Sequence, residues 1–371
     1  MDNPVKVFSL LRFLSIAITI SICLCNGILI SAPCKEYERQ ALLVFKQDLK
    51  GPSNWLLSWV GGERDCCNWT GVVCDKKPAI ESLSRYKSLG GKLNLSLLNL
   101  KHLSYLDLHN NDFEGIEIPS FLGSLKILNL DYNSISSPIP NWLYTFSYLE
   151  TLVISENNFH ALVNLDIFDN QLDGKLMVLD LSKNNFSGGI SEIFESFSRC
   201  HLSYQLGNFR NLGLLDFSSN SISGPIPVSL GNLSCLEHLN IYNNQLEGVV
   251  AKVHFTNLTK PREFSASENS LTLKTSPDWF PPFQLYTLYL NSWHLEPSEL
   301  PAWLQNQTQL LALNMSNTAI SGTILTSFWN FSSVGLLFVD LSYNQLYGKI
   351  PNIFVANIDS SSTAVINLGS N

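Results

Sequence analysis

From Leu103 onward the chain repeats one phrase, L-x-x-L-x-L-x-x-N-x-L, and no other feature constrains its fold as much. The phrase is clearest in Leu103–Phe113, Leu125–Ile135, Leu236–Leu246 and Leu336–Leu346. Its asparagine position falls at Asn111, Asn133, Asn157, Asn170, Asn184, Asn220, Asn244, Asn269, Trp293, Thr318, Asn344 and Asn371. Twelve matches across 260 residues give a period of about 24. The central L-x-L alternates with period 2, which predicts a short strand with its leucines pointing inward. The asparagine amide is suited to bonding main-chain groups of the neighbouring coil, which would otherwise be buried and unpaired. One such coil closes no core, so the coils must stack. Trp293 and Thr318 replace the asparagine, and the ladder is expected to be weaker there.

This period and pattern are the signature of leucine-rich repeats. The expected fold is an α/β solenoid, a leucine-rich-repeat horseshoe with a parallel concave β-sheet, an irregular convex side and a disulfide-held amino-terminal cap. Ser223–Pro227 and Gly348–Pro351 punctuate the return path with Gly and Pro, predicting short extended or 3₁₀ pieces rather than long helices. The spacing breaks between Asn157 and Asn220. An interval of 13 residues, from Asn157 to Asn170, holds the strand phrase and almost no return path. Counting directly from Asn157 to Asn184 gives a feasible coil of 27 residues, with Asn170 an extra match on its return path. The next interval, to Asn220, is then expected to carry a loop near Phe197–Asn208.

Residues 1–27 read as a secretory signal: Lys6 and Arg12 flank an apolar run from Phe13 to Leu24, and Cys25 and Gly27 suit a cleavage site. No later apolar run is long enough to span a bilayer. Residues 28–79 form the expected cap and 80–371 the repeat array, irregular at 158–219. Cleavage removes Cys23 and Cys25 and leaves six cysteines, an even number that favours disulfides in a secreted chain. Cys34, Cys66, Cys67 and Cys74 crowd the new terminus, and adjacent Cys66 and Cys67 have the wrong geometry to bridge each other. The favoured pairs are Cys34–Cys66 and Cys67–Cys74. A metal site is the competing reading, but nearby histidines and the C-x2-C spacing of zinc sites are missing. Cys200 and Cys235 are left with an open pairing. Eight N-x-[ST] sequons, at Asn68, Asn94, Asn185, Asn232, Asn257, Asn306, Asn314 and Asn330, support passage through the secretory pathway. Charged residues are 15% of the chain and hydrophobic ones 45%, so it folds rather than staying disordered. With net charge −8 and no basic run, nucleic acid is not an expected partner.

Glu38–Lys46, Trp59 and Cys66–Cys74 (CCNWTGVVC) together resemble the amino-terminal cap of plant leucine-rich-repeat proteins. Leu271–Trp279 and Pro301–Gln305 are similar to plant receptor-like proteins of the apple scab and tomato leaf-mould resistance type. The resemblance implies cell-surface immune perception of a protein or peptide ligand, no kinase domain, and a membrane co-receptor kinase as partner. Such receptors continue to a carboxy-terminal cap and a membrane anchor, whereas this sequence stops inside a repeat; a receptor truncated before its anchor is therefore expected, as a fragment, a degraded gene copy or a gene-model product. The alternative is a secreted inhibitor of a cell-wall-degrading enzyme, similar to the plant polygalacturonase inhibitors.

No hydrolase, nucleotide-binding or zinc-protease motif occurs, so no enzymatic activity and no cofactor are expected. Asp107, Asp166, Asp180, Asp216 and Asp340 share one repeat position and are expected to form a solvated acidic stripe. Ligand contacts are expected on the concave face, at departures from the repeated Asp and Ser: Tyr105, His109, Asp131, His238, Tyr242, Glu263, Tyr289 and Asn291. Asn314 points its sequon onto the same face.

Overall fold

A computed structural model describes residues 34–51, 56–62, 65–74, 80–83, 89–113, 125–139, 148–160, 175–191, 211–330, 336–350 and 364–371. The expected signal at 1–27, Asp166, Asn170, Cys200 and the loop near 197–208 lie outside these residues.

The repeat phrase builds a thirteen-stranded sheet. Val72–Cys74 pairs antiparallel with Ile80–Leu83, and every later strand adds in parallel and in chain order. The register places Leu106, Leu128, Leu152, Leu179 and Leu215 directly beside one another. All five are buried, so the inward leucines of successive coils stack into one continuous core. Behind this sheet the return path is more regular than expected. Ser187–Gly189, Ser221–Gly224, Gln245–Ala251, Ser270–Lys274 and His294–Glu296 form a second parallel sheet. Short 3₁₀ helices at Leu95–Asn99, Val228–Asn232, Lys252–Phe255, Ala302–Asn306 and Thr326–Asn330 complete the convex side.

The asparagine ladder forms as its chemistry requires. The Asn133 side-chain amide donates to Leu108 O at 2.8 Å, Leu130 O at 2.9 Å and Asp131 O at 3.0 Å, tying two coils together. Its counterpart Asn344 does the same with Met315, Leu341 and Ser342. At Trp293 the indole N–H replaces the amide and makes one bond to the previous coil, to Ala266 O at 2.8 Å. The Thr318 hydroxyl donates to Met315 O of its own coil at 2.8 Å, so the bridge back to the preceding coil is lost there.

One feature of the turn was not visible in the repeat. The residue before each ladder position is left-handed although none is glycine, from Asn110 at φ 58° through Tyr132, Glu156, Lys183, Ser219, Asn243, Glu268, Ser292, Asn317 and Tyr343 to Ser370 at φ 59°. This conformation costs roughly 1–2 kcal/mol for an L residue. Bonds to the next coil offset it: Asn110 N–H donates to Asp131 O at 2.7 Å, and Ser219 N–H to Tyr242 O at 2.7 Å. The turn swings the following asparagine inward.

Thr151–Val153 pairs with Val178–Asp180, which pairs with Leu214–Asp216. Asn184 reaches Ile154 O at 3.0 Å and Asn220 reaches Leu181 O at 3.1 Å, so both are consecutive rungs after Asn157. The direct count from Asn157 to Asn184 is therefore the structural one.

The amino-terminal cap closes the first coil. Helix Glu36–Asp48 buries Ala41, Leu42 and Phe45. Trp59 and Trp69 stack with centroids 5.6 Å apart, and the Trp59 indole donates to Thr70 O at 3.0 Å. Cys34 bridges Cys66 and Cys67 bridges Cys74, with Cα atoms 5.4 and 5.6 Å apart, in the pairing expected from sequence. Leu49–Lys50 pairs antiparallel with Gly90–Gly91 and joins cap to array. A Cβ on Gly91 would lie 2.1 Å from Asp48 O, so this approach requires glycine.

Candidate ligand-binding face

Each strand of the main sheet presents three alternating side chains away from the core. The first row runs through Tyr105, Ile127, Thr151, Val178, Leu214, His238, Glu263 and Thr287. The second runs through Asp107, Asn129, Val153, Asp180, Asp216, Asn240, Ser265 and Tyr289. The third, two residues further along each coil, begins His109, Asp131, Ser155 and Ser182. All eight residues expected to contact a ligand stand on these rows.

They do not converge on one site. Tyr105 and His109 turn toward their own coil: the Tyr105 hydroxyl donates to Asp107 Oδ2 at 3.2 Å, and His109 Nδ1 lies 2.7 Å from Asp107 Oδ1. Asp131 accepts from the Ser155 hydroxyl at 3.1 Å. Three coils intervene before the second group. There His238 Nδ1 lies 3.1 Å from Glu263 Oε2, and Asn291 donates to Glu268 Oε1 at 2.6 Å. Tyr242 is 40% exposed, the most open of the eight. The Tyr289 ring meets Phe338 edge-on at 6.2 Å. Burial, reinforced by the Glu263 carboxylate, pushes the Tyr289 hydroxyl up to about 12, so it stays neutral.

The aspartates of the second row are not a solvated stripe. Asp107 and Asp216 are buried. The cause is a strand-end bond: Asp180 Oδ1 accepts from Ser182 N–H at 3.0 Å, Asp216 Oδ1 from Ser218 N–H at 2.9 Å, and Asp340 Oδ1 from Ser342 N–H at 2.9 Å. Asn129, Asn240, Asn314 and Asn367 make the same bond through their side-chain oxygen. A short acceptor at this position satisfies the first N–H beyond the strand. The recurrence in the sequence therefore reports backbone capping.

Asp180 and Asp216 stand directly opposite each other on adjacent strands. Asp216 Oδ2 accepts from the Asn240 amide at 2.8 Å, and Asp180 lies 3.3 Å from the same Ser155 hydroxyl that serves Asp131. One hydroxyl proton cannot serve both. Burial, then repulsion from Asp216, pushes Asp180 up to about 7; burial, countered by the Ser155 bond, pushes Asp131 up to about 6. The ordinary value for Asp180 is 3.8. Its contribution to stability is therefore full below that pH and lost as the pH rises to about 7, because the native state holds the extra proton in between. Thermal unfolding is expected at a higher temperature at pH 5.5 than at pH 7.5. Asp180→Asn is expected to flatten that difference and to stabilise the chain at pH 7.5 on the order of 1 kcal/mol. A variant with an unchanged pH profile would contradict this assignment.

The sequons fall on other surfaces, with one exception. Asn68, Asn185, Asn232, Asn257 and Asn306 are exposed, and Asn232, Asn306 and Asn330 each end a 3₁₀ helix. The Asn94 amide donates to Val44 O at 3.3 Å and Asp48 Oδ2 at 2.7 Å, linking the cap helix to the first coil. Asn314 stands on the concave face beside Tyr289. Cys235 carries a free thiol 3.3 Å from Lys260 Nζ. Among the described residues, no helix is long and apolar enough to cross a membrane, and no acidic, histidine or cysteine group is arranged to hold a metal ion.

Residues 35–75 match the leucine rich repeat N-terminal domain, and 101–159, 175–197 and 211–233 match leucine rich repeats. Receptor-like protein EIX1 of Solanum lycopersicum is 32% identical over 280 residues, covering 58% of this chain and 27% of its own length. Receptor-like protein EIX2 of the same plant is 25% identical, covering 91% of this chain and 55% of its own length. The chain thus spans from about a quarter to about half the length of these relatives. Among solved structures, a plant ice-binding protein superposes with TM-score 0.60 at 25% identity, covering 86% of this chain and 90% of that one. The ectodomain of the Arabidopsis receptor kinase HAESA, in complex with the peptide hormone IDA and the co-receptor SERK1, superposes with TM-score 0.57 at 26% identity, covering 85% of this chain and 59% of that one. The chain is a leucine-rich-repeat protein with a disulfide-held amino-terminal cap, and its similarity in sequence runs to the plant receptor-like proteins.

Proposed function

We propose that this chain is the recognition ectodomain of a plant cell-surface receptor-like protein, taking a protein or peptide ligand on its concave sheet face without catalysing a reaction. The observation that carries the reading is the face itself. Its three rows set non-repeating side chains in register, ~4.8 Å apart from coil to coil. Such an array can read an extended ligand residue by residue. The similarity to EIX1 and EIX2 supports the receptor class. The complex of HAESA with a peptide hormone and SERK1 supports a peptide ligand and a membrane co-receptor kinase as partners. The sequons and both disulfides support passage through the secretory pathway to the cell exterior.

The contact centres on His238 and Tyr242. Tyr242 is the open aromatic of the face, and an aromatic of this kind buries large area with little entropy loss. A glycan on Asn314 would shade the coils beyond Tyr289. Peptides selected from a random displayed library on the mature, secreted chain provide the test. Tyr242→Ala is expected to weaken their binding by more than about 1 kcal/mol. Val253→Ala, on the convex side, is expected to leave it unchanged. Binding that ignores Tyr242→Ala yet changes strongly with Asn314→Gln would place the contact on the later coils.

A further inference from the structure

Exposed apolar residues on the convex side occupy adjoining coils. Val228 is 56%, Val253 50% and Phe280 62% exposed. They stand on three successive return paths, and those paths pack against one another. A Cβ on Gly231 would lie 3.5 Å from Val253 O, and the Phe255 and Trp279 rings are 5.6 Å apart, centroid to centroid. Leu230, Phe255 and Phe283 of the same paths are buried in the core. A single exposed apolar residue needs no explanation, but a row of them across adjoining coils promotes association unless something covers it.

Sequons recur in step with this row. Asn232 and Asn257 each follow the exposed valine of their coil by four residues. Asn232, Asn257 and Asn306 each precede a strand by six residues, at His238, Glu263 and Ala312. All three are exposed, as are Ser234, Thr259 and Thr308, the hydroxyl residues that complete their sequons. Their side-chain amides hold no hydrogen bond among the described residues. Phe280 lies on the coil between Asn257 and Asn306. Gln284 of that coil donates to Asn306 O at 2.8 Å and accepts from the Thr308 hydroxyl at 3.3 Å, which holds its loop against the next sequon. Asn94 shows the contrast: its amide donates to both Val44 O and Asp48 Oδ2, and a glycan would displace one of these bonds.

We infer that Asn232, Asn257 and Asn306 carry N-linked oligosaccharides that lie over Val228, Val253 and Phe280, so that the chain's own glycans cover its convex apolar row. In the transfer, each amide nitrogen takes C1 of an oligosaccharide from a lipid-linked pyrophosphate donor. The N–C1 bond forms, the C1–O bond breaks, the pyrophosphate leaves with the electron pair, and the nitrogen gives up one proton. Val228 and Asn232 are the first and last residues of one 3₁₀ helix. At a rise of about 2.0 Å per residue they are roughly 8 Å apart along its axis, within reach of the first sugars. A pyranose ring has a C–H face that packs on aliphatic and aromatic side chains, while its hydroxyls stay in water. The inference rests on passage through the secretory pathway and is independent of where the ligand binds. It makes the convex side of these coils a solubilised back and leaves the concave face open.

The test uses the mature chain secreted from plant cells. Glycopeptide mass spectrometry is expected to find all three asparagines occupied in most molecules. The combined variant Asn232→Gln, Asn257→Gln and Asn306→Gln is expected to bind a hydrophobic fluorescent dye at least threefold more strongly than the parent and to gain mass in light scattering. Adding Val228→Ser, Val253→Ser and Phe280→Ser is expected to cancel both effects. If the glutamine variant is not secreted, an endoglycosidase that trims the folded parent to single sugars exposes the same row, and the three serines are read in that background. Unoccupied asparagines beside glycans at other sequons would overturn the inference and leave secretion standing. Eight empty sequons would overturn both. Dye binding unchanged by loss of the glycans would also overturn it and leave the row open to a second copy or a protein partner. A rise that survives the three serines would place the uncovered surface elsewhere and overturn it as well.

Discussion

Asn269→Ala is expected to be among the most destabilising single substitutions in the array, costing about 4 kcal/mol. The Asn269 amide donates to Ile241 O at 2.9 Å, Ala266 O at 2.9 Å and Ser267 O at 3.2 Å, while its oxygen accepts from Leu246 N–H at 3.0 Å. The side chain is buried, so water does not replace the lost bonds. Each orphaned buried group costs about 1–3 kcal/mol, and the left-handed residue Glu268 would lose the rung that justifies its strain. Asn269→Asp separates the contributions. It keeps the acceptor for Leu246 but turns oxygen toward carbonyl oxygens, and it is expected to be nearly as damaging as alanine at neutral pH. Denaturant midpoints of the three chains check this. A midpoint for Asn269→Asp close to that of the parent would mean that the amide donations contribute little.

The coil after this one shows what the ladder does when its residue changes. Trp293 fills the same place, is fully buried, and retains one of the bridging bonds while packing edge-on against Phe264 at 6.0 Å. The gain in apolar burial offsets bonds the indole cannot make. Trp293→Asn would restore the donors but leave a void the size of an indole.

Much of this was legible because the repeat ties sequence position to backbone position. The period, the inward leucines, the ladder and the cap pairing all follow from residue type and spacing. Other features did not, for identifiable reasons. The second sheet is held by main-chain bonds between return paths such as Glu247–Ala251 and Ser270–Lys274, whose side chains share no pattern. The left-handed residues before each ladder position include Tyr132, Glu156 and Lys183, types that give no signal for that conformation. On the concave face, recurrence itself misled. The repeated aspartate looked like solvated decoration, and only the bonds to Ser182 and Ser218 N–H reveal a cap. Phe338, the aromatic partner of Tyr289, lies two coils away and could not be paired with it before the register was known.

Loss of the Cys34–Cys66 bridge is expected to destabilise the chain more than loss of Cys67–Cys74. The two close loops of very different size, with sequence separations of 32 and 7. In the chain-entropy description the longer loop contributes about 3.7 kcal/mol and the shorter about 2.5 kcal/mol. Position in the cap adds to the difference. Cys34 and Cys66 are both buried, Cys34 N–H donates to Asp65 Oδ1 at 3.1 Å, and the same oxygen receives Cys67 N–H at 3.1 Å. That bridge therefore fixes the start of helix Glu36–Asp48 against the turn that leads to Trp69. Without it, the helix that buries Leu42 and Phe45 in the same core as the stacked Trp59 and Trp69, and whose Lys46 ammonium donates to Trp59 O at 2.8 Å, loses its anchor. Terminal coils in a solenoid are held by one neighbour only, so exposure there propagates inward. Paired Cys→Ala variants, unfolded in denaturant and followed by tryptophan fluorescence, measure the difference directly. Equal midpoints for the two double variants would show that loop length does not govern the cap. Greater damage from losing Cys67–Cys74 would place the seal at the strand Val72–Cys74 instead of at the helix.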